Sequence, residues 1–272
     1  MTLGEWVRSI EISKKDAYAL LSYVTGLDKI GILTNEHREI TNEQLIKLTD
    51  MIDRHKKNEP IEHIINTGFF MGMEFYVNSD VLIPREDTEC LVEEVLEYIK
   101  KENTKSVLDM CTGSGCIAIS IASLAKDQEV TAVDISENAI YIAKKNATMH
   151  SVDINFVQSD LFEQIDKRVD IIVSNPPYIA TDVIETLEPS VKNYDPILAL
   201  DGGASGLDFY ERLAKEAKFY LNDKGAIFLE IGYDQGEAVS NLFIASGYKG
   251  VEVKKDHVGL DRIVKAHIGE VR

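Results

Sequence analysis

From Arg85 onward the chain alternates short apolar strand patterns with helix patterns, then closes with two strand-like segments only a few residues apart. The runs "SVLDM" (106–110), "VTAVDI" (130–135), "INFVQSD" (154–160), "VDIIVSN" (169–175) and "GAIFLEIG" (225–232) are apolar, mostly β-branched and too short for helices. Between them lie segments with helical spacing, such as "DTECLVEEVLEYIKK" (87–101), "GCIAISIASLAK" (115–126) and "GLDFYERLAKEAKFYL" (206–221). This alternation implies a mostly parallel sheet with helices on both faces. The last two segments, "GVEVKKD" (250–256) and "DRIVKAHI" (261–268), are joined too tightly for a crossover and must pair antiparallel. The expected fold class is therefore α/β, a mostly parallel sheet with an antiparallel final hairpin.

Residues 1–72 read differently. In "SKKDAYALLSYVTG", Ala17, Leu20, Leu21 and Val24 share one helical face and Gly26 marks the stop. "TNEQLIKLTDMI" starts with Thr41 and has Gln44 three residues later, a capping-box pattern. The expected division is a small helical domain (1–72), a β-hairpin linker (73–84) ended by Pro84, and the α/β domain (85–272). Acidic residues outnumber basic ones in the helical part, and the whole chain of 272 residues carries a net charge of −17. A protein that grips nucleic-acid backbone usually presents a basic face, so no direct nucleic-acid binding is expected. Three cysteines (Cys90, Cys111, Cys116) are too few for a disulfide framework and lack histidines at metal spacing. No metal, no membrane span and a cytoplasmic monomer are the expectations.

The loop "DMCTGSGCIA" (Asp109 to Ala118) joins the first strand of the α/β part to its helix. Gly113, Ser114, Gly115 and Ala118 fit a G-x-G-x-x-A pattern, whose small residues let backbone approach a ligand at the helix start. Asp134 ends the next strand, 19 residues after Gly115, where a carboxylate can accept both hydroxyls of a ribose. Asp160, at the end of the third strand, is a candidate acceptor for an adenine amino group, with Leu161 and Phe162 beside the ring. These residues point to an adenosine-bearing cofactor. Asp109 ahead of the glycines suits a cation, which favours S-adenosylmethionine over a nicotinamide dinucleotide with its pyrophosphate.

"SNPPYIA" (174–180) follows a buried strand at once. Asn175 precedes a proline and is pushed into an extended shape. Pro176 and Pro177 have fixed φ and no N–H. The Asn175 side-chain oxygen and the Pro176 carbonyl can together accept both hydrogens of one planar NH₂ group, and Tyr178 offers a flat face to it. Such a clamp selects an amide or an aromatic amine and aims its lone pair at an electrophilic methyl.

With these motifs in place the chain resembles the release factor glutamine methyltransferases, a family of Rossmann-like class I S-adenosylmethionine-dependent methyltransferases with an N-P-P-Y motif. "LIPREDTECLVEE", "NPPYIA", "ILALDGGASGLDFY", "LEIGYDQGEAV" and "KDHVGLDRIV" carry the resemblance. It implies that Asn175 and Pro176 hold the substrate amide and that Tyr178 packs on it, and the expected substrate site takes in Pro177 as well. It also implies that Thr112, Gly113, Ser114, Gly115, Asp134 and the Leu161 region hold S-adenosylmethionine, to which the expected cofactor site adds Asp109, Cys111, Asp160 and Asn175. The helical domain would grip a peptide chain release factor, whose Gly-Gly-Gln glutamine would be the substrate. Cys111 and Asn66 stand where the family usually has glycine, His63 replaces a usual tyrosine and Asp195 a usual glutamate. The alternatives are an N6-adenine nucleic-acid methyltransferase, a glutamine methyltransferase acting on a ribosomal protein, a nicotinamide oxidoreductase and a non-catalytic cofactor-binding module.

Overall fold

A computed structural model of the chain describes residues 1–269; the last three residues of the expected α/β domain lie outside the described residues. The chain forms two compact units, one of residues 1–67 with 189–194, the other of residues 68–188 with the described residues from 195 onward.

The first unit is helical, with helices Leu3–Ser9, Lys14–Thr25, Lys29–Thr34, Asn42–His55 and Ile61–Ile65. Thr41 and Gln44 make the capping box, each side chain bonding the other's backbone N–H. A second box, Thr2 with Glu5, opens the first helix. Gly26 takes the left-handed conformation that stops the second helix. Leu3, Ala17, Leu20, Leu21, Ile32 and Leu48 are almost fully buried in one core, each large side chain contributing about 1.5–3 kcal/mol by leaving water. Asn66 adopts φ 53° at the end of Ile61–Ile65, a left-handed position that asparagine tolerates.

The second unit begins with the hairpin β1 (Thr67–Phe70) and β2 (Met73–Tyr76), where β1 takes its first residue from the end of the first unit. The sheet then comprises β3 (Ser106–Met110), β4 (Glu129–Asp134), β5 (Asn155–Gln158), β6 (Val169–Ser174), β7 (Leu221–Glu230), β8 (Lys249–Lys255) and β9 (Asp261–His267). Its order is β5-β4-β3-β6-β7-β9-β8, with β3 to β7 parallel and β9 antiparallel to both neighbours. The last strand thus inserts between β7 and β8. Burial explains the order: β9 is buried along most of its length, whereas β8 is largely exposed and carries lysines, as an edge strand should. Helices Glu89–Glu102, Cys116–Leu124 and Glu137–His150 belong to one core, in which Val95, Ile119 and Ala132 are fully buried; Asp208–Glu216 and Gly236–Ala245 belong to the other, around Tyr210, Leu229 and Phe243.

Candidate active site

The carboxyl ends of β3, β4, β5 and β6 open onto a cavity of about 390 Å³, the place where open parallel sheets bind ligands. After β3 the backbone turns sharply. Cys111, Gly113 and Gly115 all have positive φ (63°, 55° and 81°), so the glycine loop is left-handed at three of its five positions. A Cβ on Gly115 would lie 3.0 Å from both the Ala143 Cβ and the Ile119 Cδ1. Cys111 carries a side chain in a conformation that ordinarily calls for glycine, at a cost of order 1 kcal/mol. The loop is braced by Thr112 N–H on the Val133 carbonyl (2.9 Å) and by Asn146 Nδ2 on the Ser114 carbonyl (2.8 Å).

Asp109 sits behind the loop rather than in the cavity wall. Its Oδ2 accepts the Thr112 hydroxyl at 2.6 Å and the Ala118 N–H at 3.2 Å, while its Oδ1 is buried with no hydrogen bond. Burial pushes its carboxyl up to about 7, the two hydrogen bonds pulling the other way and Asp134 adding to the rise. Asp134 faces the cavity. It accepts the Gly113 N–H on Oδ2 (2.8 Å) and the Ser136 N–H on Oδ1 (2.9 Å), and burial raises its pKa too. Asp160 also faces the cavity, but its Oδ1 already accepts Arg212 Nη1 at 2.8 Å. Leu161 lines the wall. Phe162 does not: it stacks on Tyr220, centroids 4.6 Å apart, in the core behind.

The N-P-P-Y turn leaves β6, the immediate neighbour of β3, and the Ser174 hydroxyl on the Met110 carbonyl (2.6 Å) ties the two strand ends. Asn175 and Pro177 line the cavity with Cys111, Thr112, Gly113 and Ser114, whereas Gly115, Pro176 and Tyr178 stand outside its wall. Asn175 Nδ2 donates to the Thr88 hydroxyl oxygen (3.3 Å), leaving the side-chain oxygen to accept. Tyr178 is mostly buried; its hydroxyl reaches Glu230 Oε1 at 3.5 Å, and its carbonyl accepts Gln235 Nε2 at 3.0 Å. The following "DGGASG" segment packs on the back of the turn. A Cβ on Gly202 would stand 2.8 Å from Tyr178 Cα, and one on Gly206 2.5 Å from its carbonyl oxygen.

Motif reading passed over Thr88, Glu230 and Arg212. A carboxylate inside the apolar run "GAIFLEIG" was the available signal, because a buried charge is costly unless something pairs with it. The two arginines at the cavity are both engaged, Arg212 with Asp160 and Arg85 with the buried Asp195 (2.8 Å). Among the described residues, no unpaired arginine or lysine lines this cavity to meet a pyrophosphate. Asp134 in the cavity wall, with Asp109 behind the loop, suits a positively charged ligand instead, whose charge would favour the carboxylate forms that burial disfavours. An adenosine cofactor bearing an ammonium and a sulfonium fits this donor set.

The comparisons agree with that geometry. Residues 88–188 match the family model described as the methyltransferase small domain, and residues 7–65 match the PrmC N-terminal domain. The release factor glutamine methyltransferase of Clostridium acetobutylicum is 45% identical over 261 residues, covering 94% of this chain and 92% of that protein. The chain belongs to the release factor glutamine methyltransferase family. The member from Thermodesulfovibrio yellowstonii is 40% identical over 96% of this chain and 95% of its own length. Among solved structures, a methyltransferase from Pyrococcus furiosus shares the fold at a TM-score of 0.54 and 17% identity, covering 82% of this chain and all of that one. As a Rossmann-like methyltransferase the chain has the expected mostly parallel sheet with antiparallel final strands.

Proposed function

We propose that this enzyme transfers a methyl group from S-adenosylmethionine to the side-chain amide nitrogen of the glutamine in the Gly-Gly-Gln motif of a peptide chain release factor. The observation that carries it is the orientation of Asn175. Its Nδ2 donates to Thr88, which leaves its oxygen available to accept, at the end of a turn whose prolines have no competing donors. Asn175 Oδ1 and the Pro176 carbonyl would take the two hydrogens of the glutamine amide, fixing its plane, with Tyr178 behind. The amide lone pair is delocalised and nearly inert. Two acceptors on its hydrogens favour a nitrogen-centred pair, and holding it in line contributes positioning, worth up to roughly 7–11 kcal/mol in the best cases.

Asp109, Cys111, Thr112, Gly113, Ser114, Gly115, Asp134, Asp160, Leu161 and Asn175 would hold S-adenosylmethionine. When bound, it would supply an electrophilic methyl: a nitrogen–carbon bond would form as the sulfur–methyl bond breaks to leave a neutral thioether, and the amide nitrogen would lose one hydrogen as a proton to water. Asp134 would exchange its backbone bonds for ribose hydroxyls or share them, and Asp160 would have to share its carboxylate with Arg212. The helical domain, residues 1–72, would contact the release factor away from the glutamine loop, with residues 73–84, which hold only the second strand of the β1–β2 hairpin, as linker to the domain at 85–272. Among the described residues no helix is long and apolar enough to cross a membrane, and a cytoplasmic monomer without nucleic-acid partner completes the reading.

Incubating the enzyme with methyl-labelled S-adenosylmethionine and purified release factor should place one methyl on that glutamine by mass spectrometry, and none after Gln→Glu. Methylation of DNA, RNA or a ribosomal protein with the release factor untouched would overturn the assignment.

A further inference from the structure

One ion pair stands in the cavity wall with no structural task large enough to explain it. Asp160 follows β5, and Arg212 lies on the helix Asp208–Glu216. Arg212 Nη1 donates to Asp160 Oδ1 at 2.8 Å, and both residues line the cavity. Their side chains are 38% and 37% exposed, and a pair that open to solvent contributes little to stability. Phe209, three residues before Arg212 and so on the same helical face, lines the cavity too, as does Leu161 next to Asp160.

The guanidinium is held from two sides, because Arg212 Nε also stands 3.9 Å from Glu216 Oε1, one turn further along the helix. The single bond to Asp160 leaves capacity on both partners. Among the described residues, Asp160 Oδ2 and Arg212 Nη2 have no hydrogen-bond partner. A carboxylate only accepts and a guanidinium only donates, so the pair presents an acceptor beside a donor. Its charges offset each other, which suits a neutral polar edge rather than a phosphate. Adenine has such an edge: its 6-amino group donates, and ring nitrogen N1 beside it accepts. A 6-oxo purine shows the reverse, since its oxygen accepts and its N1 carries a hydrogen.

We propose that Arg212 is a specificity-determining residue which, together with Asp160, reads the amino–N1 edge of the cofactor's adenine as one acceptor–donor unit. This inference rests on the proposed placement of that adenine at Asp160. Asp160 Oδ2 takes a hydrogen of the amino group, and Arg212 Nη2 donates to N1. The bond already made between the two side chains sets their spacing, so less ordering is left for the moment of binding. Phe209 and Leu161 supply apolar surface for the ring. A 6-oxo base would meet acceptor against acceptor at Asp160 and donor against donor at Arg212. Lysine in place of Arg212 would keep the ion pair but not the planar fork that serves two acceptors in one plane.

The test is calorimetric binding, without methyl transfer, of S-adenosylhomocysteine and S-inosylhomocysteine, which differ only at position 6 and N1 of the base. The wild type should prefer the adenosyl compound by roughly 100-fold or more, because a site built on hydrogen bonds rejects an analogue that mispairs them. Arg212→Met should weaken adenosyl binding roughly tenfold, the scale of one hydrogen bond to a charged group. Inosyl binding should stay the same or tighten there, since a donor conflict is removed, and the preference should shrink accordingly. Arg212→Lys should bind the adenosyl compound within about threefold of Arg212→Met. The ratio of two affinities within one variant is indifferent to changes in stability. No preference in the wild type, a parallel loss for both compounds in Arg212→Met, an undiminished preference there, or full recovery in Arg212→Lys would each overturn the proposal. Asp160→Ala separates this inference from the reading beneath it. Wild-type affinity and preference in that variant would strike the placement of the adenine itself. A preference lost in Asp160→Ala but intact in Arg212→Met would strike the role of Arg212 alone.

Discussion

The two loops that leave β3 and β6 start from neighbouring strands and solve opposite problems. The glycine loop needs left-handed backbone at three positions so that its backbone can close on a ligand and on Asp134. The N-P-P-Y turn has no positive φ; its prolines remove N–H groups and leave acceptors. One loop is built from conformational freedom and the other from its loss. The first suits a ligand that moves in and out intact. The second suits a group that must be aligned to react. If that contrast is right, damage to the glycine loop should appear in cofactor affinity and damage to the turn in turnover.

The largest expected effect is from Asn175→Ala. Losing one of two acceptors should lower kcat by roughly 10²–10³-fold, the scale for removal of one preorganised hydrogen-bonding group, while calorimetric cofactor affinity should fall by no more than about tenfold, the scale of the single contact Asn175 would make to the cofactor. A matched loss of affinity would break the division between the loops. Next comes Asp134→Ala, which should weaken S-adenosylmethionine binding by roughly 10–100-fold, as one or two charge-assisted bonds would imply. At saturating cofactor its kcat should stay near that of the wild type; a collapse of kcat would show that the glycine loop also sets the chemistry.

Gly202→Ala gives a third, smaller effect. Its Cβ would press on the Tyr178 backbone at 2.8 Å, and overpacking of this kind costs about 1–3 kcal/mol. Denaturant unfolding should show the loss, and kcat should fall with it because the turn is displaced. Unchanged stability would mean that the turn gives way easily and is not stiff.

The smallest effect sharpens the electrostatic side of the comparison. Asp109 has its carboxyl raised to about 7 by burial, so the folded state binds its proton more tightly than the unfolded chain does. The stability it contributes is full below the ordinary aspartate range and is lost as pH rises through about 7. A cationic ligand favours the charged form. Binding of S-adenosylmethionine at neutral pH should therefore release up to about half a proton, measured by calorimetry in buffers of different ionisation enthalpy. Asp109→Asn should abolish the release, and a release that survives there would assign it to another group.

Much of this was legible before the fold was known. Strands β3 to β7 show as apolar runs because both faces of a parallel sheet are covered. The two loops show because glycine and proline mark backbone that side chains do not determine. The pairing of the last two strands follows from their short connection, but the position of β9 inside β8 does not; it follows from which strand offers more apolar surface to the core. Phe162 stood beside Leu161 in sequence and was expected at the adenine, yet it stacks on Tyr220 instead. Asp160 meets Arg212, 52 residues away, and Asn175 meets Thr88, 87 residues away. Partners that distant share no periodicity, so a single sequence could name the chemistry of the clamp without naming what holds it.

The three cysteines have a practical consequence. Burial pushes Cys90 up to about 11 and Cys116 to about 12. Part of Cys111 faces the cavity, but the protein packed around its sulfur, and then the charges of Asp134, Asp109 and Asp160, raise it as well. Thiolate is the reactive form, so all three should resist alkylation and oxidation while the fold is intact. A single cysteine introduced at an exposed position of the helical unit would then react alone, and a fluorophore could be attached there without removing any native residue.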